Sequence, residues 1–290
     1  MYLIKGFKGI DWLILMFGII VLFTTAFNSQ GYFHGDEHWQ VLEFASYKAG
    51  HTPQNQLPWE YNEQIRPAIQ PFIVYTLMNV LPDNTSPFTV VLILRLFTAL
   101  GAFAVLCMSF KALNVLKVKN TIEILLIVCS FWFLPFLCVR FTSENCSGIC
   151  LASCVFLVII NEEFLMIKHY LIIGFFLGLA FLFRFQCGLS IAGFIMWLMF
   201  IKKVKIKDIS ILTLVIFLVI CLGFCIDRWF YGEWTNTIWN YFNTTILIDN
   251  APDFGSKQWY FYFIKIIERS FFIDGIIILS FLMLYLKAHS

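Results

Sequence analysis

From residue 10 onward the chain alternates long apolar runs with polar connections. The runs cover 10–27, 88–110, 121–139, 146–160, 169–183, 188–201, 209–226 and 271–286. A bilayer core about 30 Å thick is crossed by about 20 helical residues, with shorter spans at the low end of the range. Backbone in lipid must satisfy its own hydrogen bonds, so each run is expected to be a helix. The pattern predicts an all-α polytopic membrane protein, a single membrane domain over 1–290, with one long polar loop at 28–86. That loop is expected to carry two interfacial helices. Residues 36–49 alternate Trp39, Leu42 and Ala45 with polar groups, as a helix lying on a membrane does. Residues 67–81 are more apolar and open on Pro67, a good first-turn residue. Between them, "LPWEYNEQIRP" brings Trp59, Glu60 and Arg66 close together in sequence.

Composition agrees with a membrane protein. The chain is 60% hydrophobic, 19% aromatic and only 13% charged, with a mean hydropathy of +0.81. A soluble chain carries about twice that charged fraction. The first run lacks an A-x-A-like cleavage site and is expected to be a retained helix. A net charge of +2 without a basic-aromatic patch gives no reason to expect a nucleic-acid partner. The nine cysteines sit in or beside apolar runs, so no disulfide framework is implied. Cys146, Cys150 and Cys154 share one helical face and are expected to pack as small polarizable side chains.

Lysines mark one side of the membrane. Lys5 and Lys8 precede the first run, Lys111, Lys117 and Lys119 follow the second, and Lys202, Lys203, Lys205 and Lys207 form the densest cluster. The positive-inside rule makes these ends cytoplasmic. Segments 28–86, 140–144, 184–187 and 227–262 then reach the opposite face. They hold His34, Asp36, Glu37, Trp59, Glu60, Arg66, Arg140, Glu144, Arg184, Asp227, Arg228 and Asp253. A transport pathway would scatter ionisable groups through the spans, and such positions are expected to be nearly empty, with Asp11 the main candidate. Asp11 itself reads as a helix-start residue.

The stretch "YFHGDEHWQ" has two compatible readings. Asp36 caps the helix that follows while Glu37 favours its positive end, or Asp36 is held just outside lipid to take a proton from a hydroxyl nucleophile. His34 and His38 could join Asp36 around a metal, but no second cluster completes a coordination set, so no metal is expected. Asn84, Asn145 and Asn243 fit N-x-[ST].

"HGDEHWQVLEFA" followed by "PWEYNEQIRP" resembles the His-Pro-Asp-Glu motif and the later Trp-Glu and Ile-Arg elements of glycosyltransferase family 22, the lipid-dependent mannosyltransferases of the GPI-anchor and N-glycan pathways and their bacterial relatives. The resemblance continues in order through "VRFTSENCSG" (139–148), "FRFQ" (183–186), "DRWFYGEWTNTIWNYFNTTI" (227–246) and "DFGSKQWYFYF" (253–263). Gly35 stands where the family has proline, and Lys257–Gln258 where a His-Pro pair is common. Family members are longer, so this chain is expected to lack their C-terminal spans.

The resemblance implies a GT-C-type helix bundle with its site facing the ER lumen or the bacterial periplasm. The composition, rich in Lys, Asn, Ile and Phe, leans toward a bacterial inner membrane. The implied donor is a polyprenyl- or dolichyl-phosphate mannose and the acceptor a hydroxyl of a glycan or glycolipid, with no cofactor. No G-x-x-x-x-G-K or G-x-G-x-x-G nucleotide signature is present. Asp36 matches the family's aspartate and is cast as general base in an inverting displacement, with Glu37 orienting the acceptor or sharing the role. Arg66, Arg140 and Arg184 are cast as partners of the donor phosphate; each could instead be an interfacial snorkelling side chain. His34, Trp59, Glu60, Glu144, Trp259 and Tyr260 are the candidates for holding sugar or acceptor, although aromatics at this depth also form interfacial belts. The alternatives are a related transferase for another lipid-linked sugar, a lipid or sugar transporter, and an inactive truncated relative.

Overall fold

A computed structural model describes residues 9–32, 34–82, 84–131, 133–162, 165–247 and 257–269. The expected span at 271–286, and Lys5, Lys8 and Asp253, lie outside these residues. All regular elements among the described residues are helices, and the contacts of the chain divide it into one unit over residues 1–241 and a second over 242–290.

In the first unit, α1 (Gly9–Asn28), α5 (Pro87–Val115), α8 (Ser143–Ile160) and α11 (Ile206–Tyr231) are each long and apolar enough to cross a membrane. Shorter apolar helices, α4 (Ile69–Val80), α6 (Thr121–Ser130), α9 (Ile167–Phe183) and α10 (Cys187–Met196, extended by a π-wound turn to Ile201), join them. The chain is an all-α polytopic membrane protein. The expected run 121–139 breaks after Ser130 and restarts as α7 (Phe133–Cys138). Pro135 sits in the first turn of α7, where its missing N–H costs least. Start signals at other helices are those the sequence supplies. Ser86 accepts from Phe88 N and precedes Pro87 at the start of α5, and Thr142 accepts from Asn145 N at the start of α8.

α1 packs on α5, α5 on α8, α8 on α9 and α9 on α11, a row that follows chain order. The α9–α11 contact is close because it runs through glycines. A Cβ at Gly178 would lie 2.6 Å from Val219 Cβ, and one at Gly174 would lie 2.8 Å from the Leu212 carbonyl oxygen. Ile173 and Leu177 of α9 meet Leu212 and Ile216 of α11 in the largest core, together with Cys154 and Val158 of α8. Cys146, Cys150 and Cys154 are all buried on one face of α8, as small packing residues. The outward faces are apolar: α11 exposes Leu214, Phe217, Leu218 and Leu222. In a membrane such faces meet lipid chains.

The 28–86 segment folds against one end of this row. A π-wound turn (Glu37–Leu42) runs into α2 (Glu43–Lys48), then come α3 (Trp59–Asn62) and α4. Phe44, Tyr61, Ala68 and Phe230 form an aromatic-rich cluster that ties α2, α3 and the approach to α4 to the end of α11. Lys117 and Lys119 follow α5, Lys202, Lys203 and Lys205 precede α11, and Lys207 lies in its first turn. Both sets therefore lie at the helix ends remote from residues 87, 143, 183 and 231, which the 28–86 segment adjoins.

Candidate active site

Two arginines converge on one backbone carbonyl beside the site, that of Gly31. Arg95 projects from α5 and donates to the Ser29 and Gly31 carbonyls. Arg140 lies just before α8 and donates through Nη1 to the same Gly31 oxygen at 2.8 Å. Gly31 can present that carbonyl because its φ is +60°, a conformation glycine adopts without strain. Arg140 is held from behind: Asn145 Nδ2 donates to its carbonyl at 2.7 Å and to the Cys138 carbonyl at 2.9 Å. This use of its amide makes Asn145 a structural residue despite its N-x-[ST] context. The Arg140 guanidinium packs 4.5 Å from the Phe136 ring centre, and the side chain is 2% exposed. Glu37 Oε2 approaches it at 3.4 Å. A buried guanidinium is costly unless paired, and Glu37 is that partner.

Asp36 faces the other way. Its side chain is 49% exposed, and Oδ1 lies 3.3 Å from His34 Nδ1. The expectation that Asp36 caps the following helix is not met, because its side chain makes no cap hydrogen bond. Its φ and ψ are already helical at −60° and −32°, whereas a capping side chain needs an extended backbone to fold back. The carboxylate is left facing a cavity of about 490 Å3. Asp36, Glu37, His34, Arg140 and Glu144 all line this cavity.

Arg66 and Arg184 line a smaller neighbouring cavity of about 40 Å3, walled from the first by the shared residues Gln40, Val41, Gln70 and Ser143. The three arginines are thus divided two and one. Arg184 closes the end of α9 and pairs with Glu144 at the start of α8, with Ser143 Oγ at 3.3 Å. Arg66 Nη2 lies 3.7 Å from Glu60 Oε1, which also accepts from Gln40 Nε2 at 3.0 Å, and Arg66 Nε is buried without a hydrogen-bond partner. Glu60 is a buried link in a Gln40–Glu60–Arg66 chain. Trp59, half exposed, is not among the residues lining either cavity. Trp259 and Tyr260 belong to the second unit, exposed just before α12 (Phe261–Arg269), with ring centres 5.7 Å apart.

The backbone that carries Arg66 is clamped by the "DRWFYG" segment. Buried Asp227 accepts from Ala68 N at 2.8 Å and from Thr237 Oγ1 at 2.9 Å, while Tyr231 Oη donates to the Arg66 carbonyl at 2.8 Å. Asn240 and Glu233 add bonds to Gln64. Among the described residues no three His, Cys, Asp or Glu side chains converge as a metal ion requires. The groups suited to a ligand are guanidiniums, and they suit an anion.

Sequence reasoning missed Arg95, Gln40 and Gln70. Arg95 corrects the expectation that mid-span positions are nearly empty, since it is a lone cation inside 88–110, buried in α5. That signal was present, because a charge within a span is a functional candidate by default. Gln40 follows Asp36 by four residues, one helical turn on the same face. Gln70, which donates to the Phe141 carbonyl at 3.1 Å, gives no local sign.

Comparison with known proteins gives one consistent result. The chain is 22% identical over 272 residues to GPI alpha-1,2-mannosyltransferase 3 of Mus musculus, covering 89% of this chain and 48% of that protein. The Homo sapiens and Bos taurus proteins of the same name are 23% and 24% identical, covering 86% and 89% of this chain. The chain spans about half the length of the curated relatives it matches. No solved structure matches it. The profile of the Alg9-like mannosyltransferase family matches residues 12–289, and the chain belongs to that family.

Proposed function

We propose that this chain transfers mannose from a polyprenyl- or dolichyl-phosphate donor to a hydroxyl of a glycan or glycolipid, with Asp36 as general base. One observation carries the reading: a half-exposed carboxylate and a buried guanidinium, Asp36 and Arg140, line the same cavity. Inverting transfer needs that pair. The acceptor oxygen bonds to the anomeric carbon as the carbon–oxygen bond to phosphate breaks, and Asp36 takes the hydroxyl proton. The electron pair leaves on the lipid phosphate, where Arg140 meets the developing charge. Arg66 and Arg184, behind the shared wall of Gln40, Gln70 and Ser143, add positive potential. His34 positions the Asp36 carboxylate, and Glu37 keeps Arg140 in place.

The names of the relatives suggest an α-1,2 linkage on a GPI-type glycan, which inversion would form from a β-linked donor. The lysines at the far helix ends favour a site on the non-cytoplasmic face, the periplasm of a bacterium or the ER lumen. The test expresses the chain in membranes with polyprenyl-phosphate mannose radiolabelled in the sugar. A positioned base contributes about 10²–10⁴-fold, so Asp36→Asn lowers transfer by at least about 100-fold while leaving the protein folded. Equal transfer by both proteins removes Asp36 as base, and absence of transfer by the wild-type chain refutes the activity.

A further inference from the structure

Two glutamines, Gln40 and Gln70, stand in the wall shared by the cavities of about 490 and 40 Å3, and each lines both. Gln40 Nε2 donates to Glu60 Oε1 at 3.0 Å, and Gln70 Nε2 donates to the Phe141 carbonyl at 3.1 Å. Both partners are acceptors. A backbone carbonyl has no proton to give, and the Glu60 oxygen that meets Gln40 also has Arg66 Nη2 at 3.7 Å. Each partner therefore fixes the amide beside it, with the nitrogen turned toward the partner and the carbonyl oxygen turned away.

Among the described residues no hydrogen bond reaches either amide oxygen, yet neither is one of the buried atoms left without a partner, which are Arg66 Nε and Arg140 Nε. Each oxygen therefore meets open space. Gln70 is only 6% exposed, so for its oxygen that space is the cavities it lines. An enclosed amide oxygen is costly to leave unpaired, so a ligand seated here has to donate to it. Arg140 lines the larger cavity and Arg66 and Arg184 the smaller. Those guanidiniums repel a cationic donor such as an ammonium and leave a neutral one, the hydroxyl.

We infer that Gln40 and Gln70 form a pair that reads the hydroxyls of a sugar ring held beside Asp36, each amide oxygen accepting from one hydroxyl. The inference rests on the proposed transfer for its substrate and adds the residues that select it. Gln40 follows Asp36 by four residues, so the reading group and the base leave the same side of one helical segment. A ring that lacks one of those hydroxyls, or carries it methylated, leaves an amide oxygen unpaired and is rejected. Glu60 lines neither cavity. It is a positioning residue, which acts on the sugar by setting which end of the Gln40 amide faces it.

The test measures equilibrium binding of octyl α-mannoside and its monodeoxy analogues to the purified full chain in nanodiscs, beside polyprenyl-phosphate mannose and the same deoxy series in its sugar. In the wild-type protein at least one missing hydroxyl is expected to weaken binding about 10-fold or more. Gln40→Met and Gln70→Met keep the length of the side chain without the amide. Each is expected to bind a parent sugar as weakly as wild type binds one analogue, and to stop distinguishing the two. A purely structural role lowers the affinity for parent and analogue alike and preserves their ratio, which overturns the proposal. Glu60→Gln gives Gln40 a partner that donates as well as accepts, so the amide is free to turn and the ratio is expected to fall with Gln40 in place. The series that shows the ratio names the source of the hydroxyls, the octyl mannosides for an acceptor and the polyprenyl-phosphate sugars for the donor. Wild-type protein that binds neither series, or binds every analogue as well as its parent, also overturns the proposal. Discrimination in binding without any transfer refutes the transfer and leaves the pair standing.

Discussion

Replacing Asp227 tests how the candidate site is held in place. The carboxylate is buried and accepts from Ala68 N and Thr237 Oγ1, at 2.8 and 2.9 Å. Alanine at 227 removes both bonds and strands the Ala68 amide, which has no exposure to water. Hydrogen bonds to a charged acceptor contribute about 1.5–3 kcal/mol each, and a stranded buried donor costs a comparable amount. Allowing for relaxation, Asp227→Ala is expected to cost about 3–4 kcal/mol. Asp227→Asn keeps an acceptor for Ala68 and offers Thr237 a donor, so its cost stays below about 1.5 kcal/mol. At about 2–4 °C per kcal/mol, the alanine variant unfolds about 6–16 °C earlier and the asparagine variant less than about 6 °C earlier. Thermal unfolding of the detergent-solubilised protein, followed by tryptophan fluorescence, reads the shift. Hydrogen exchange at the Ala68 amide reads the local loss directly. An alanine variant that melts with wild type, or an asparagine variant as damaged as the alanine one, would show that this clamp does not hold the chain around Arg66.

Two further outcomes follow from contacts elsewhere. Gly178→Ala drives a methyl to 2.6 Å from Val219 Cβ and is expected to destabilise by about 1–3 kcal/mol. Gly193→Ala, where a Cβ meets nothing within 4 Å, is the control; equal melting of the two variants rejects the glycine seam. Burial and the bond to Tyr47 Oη, at 3.0 Å, push the Tyr61 hydroxyl above its ordinary value of 10.0. Above pH 10.0 the unfolded chain loses this proton while the folded chain keeps it, so stability falls as pH rises further. Tyr61→Phe is expected to flatten that decline in melting temperature; identical slopes in both proteins would refute the assignment.

Much of the helical architecture was legible because lipid imposes so strict a rule on backbone hydrogen bonding. Seven of the eight apolar runs reappear as described helices, one of them split in two at the Phe131–Phe133 break ahead of Pro135. The 36–49 and 67–81 segments also fold as helices at about the expected places. Site partners were less legible, since they depend on contacts between distant parts of the chain. Asp227 reads as one more polar group at a helix end, and its bond to Ala68 spans 159 residues. Arg66, Arg140 and Arg184 look equivalent in sequence, yet Arg140 turns inward beneath Phe136 while Arg184 reaches Glu144 at the surface. Arg95 is a different case. It was readable as a charge in an apolar run, and only its partners were hidden.

Arg95 and Arg140 share the oxygen of residue 31. A carbonyl offers two lone pairs, and here guanidiniums from two separate helical regions converge on it. Residue 31 and the two arginines therefore form one heritable unit. A side chain added at 31 would bend the turn and unseat both cations together. Descendants of this sequence that keep both arginines should keep the glycine, and the position should drift freely only where one arginine has been lost.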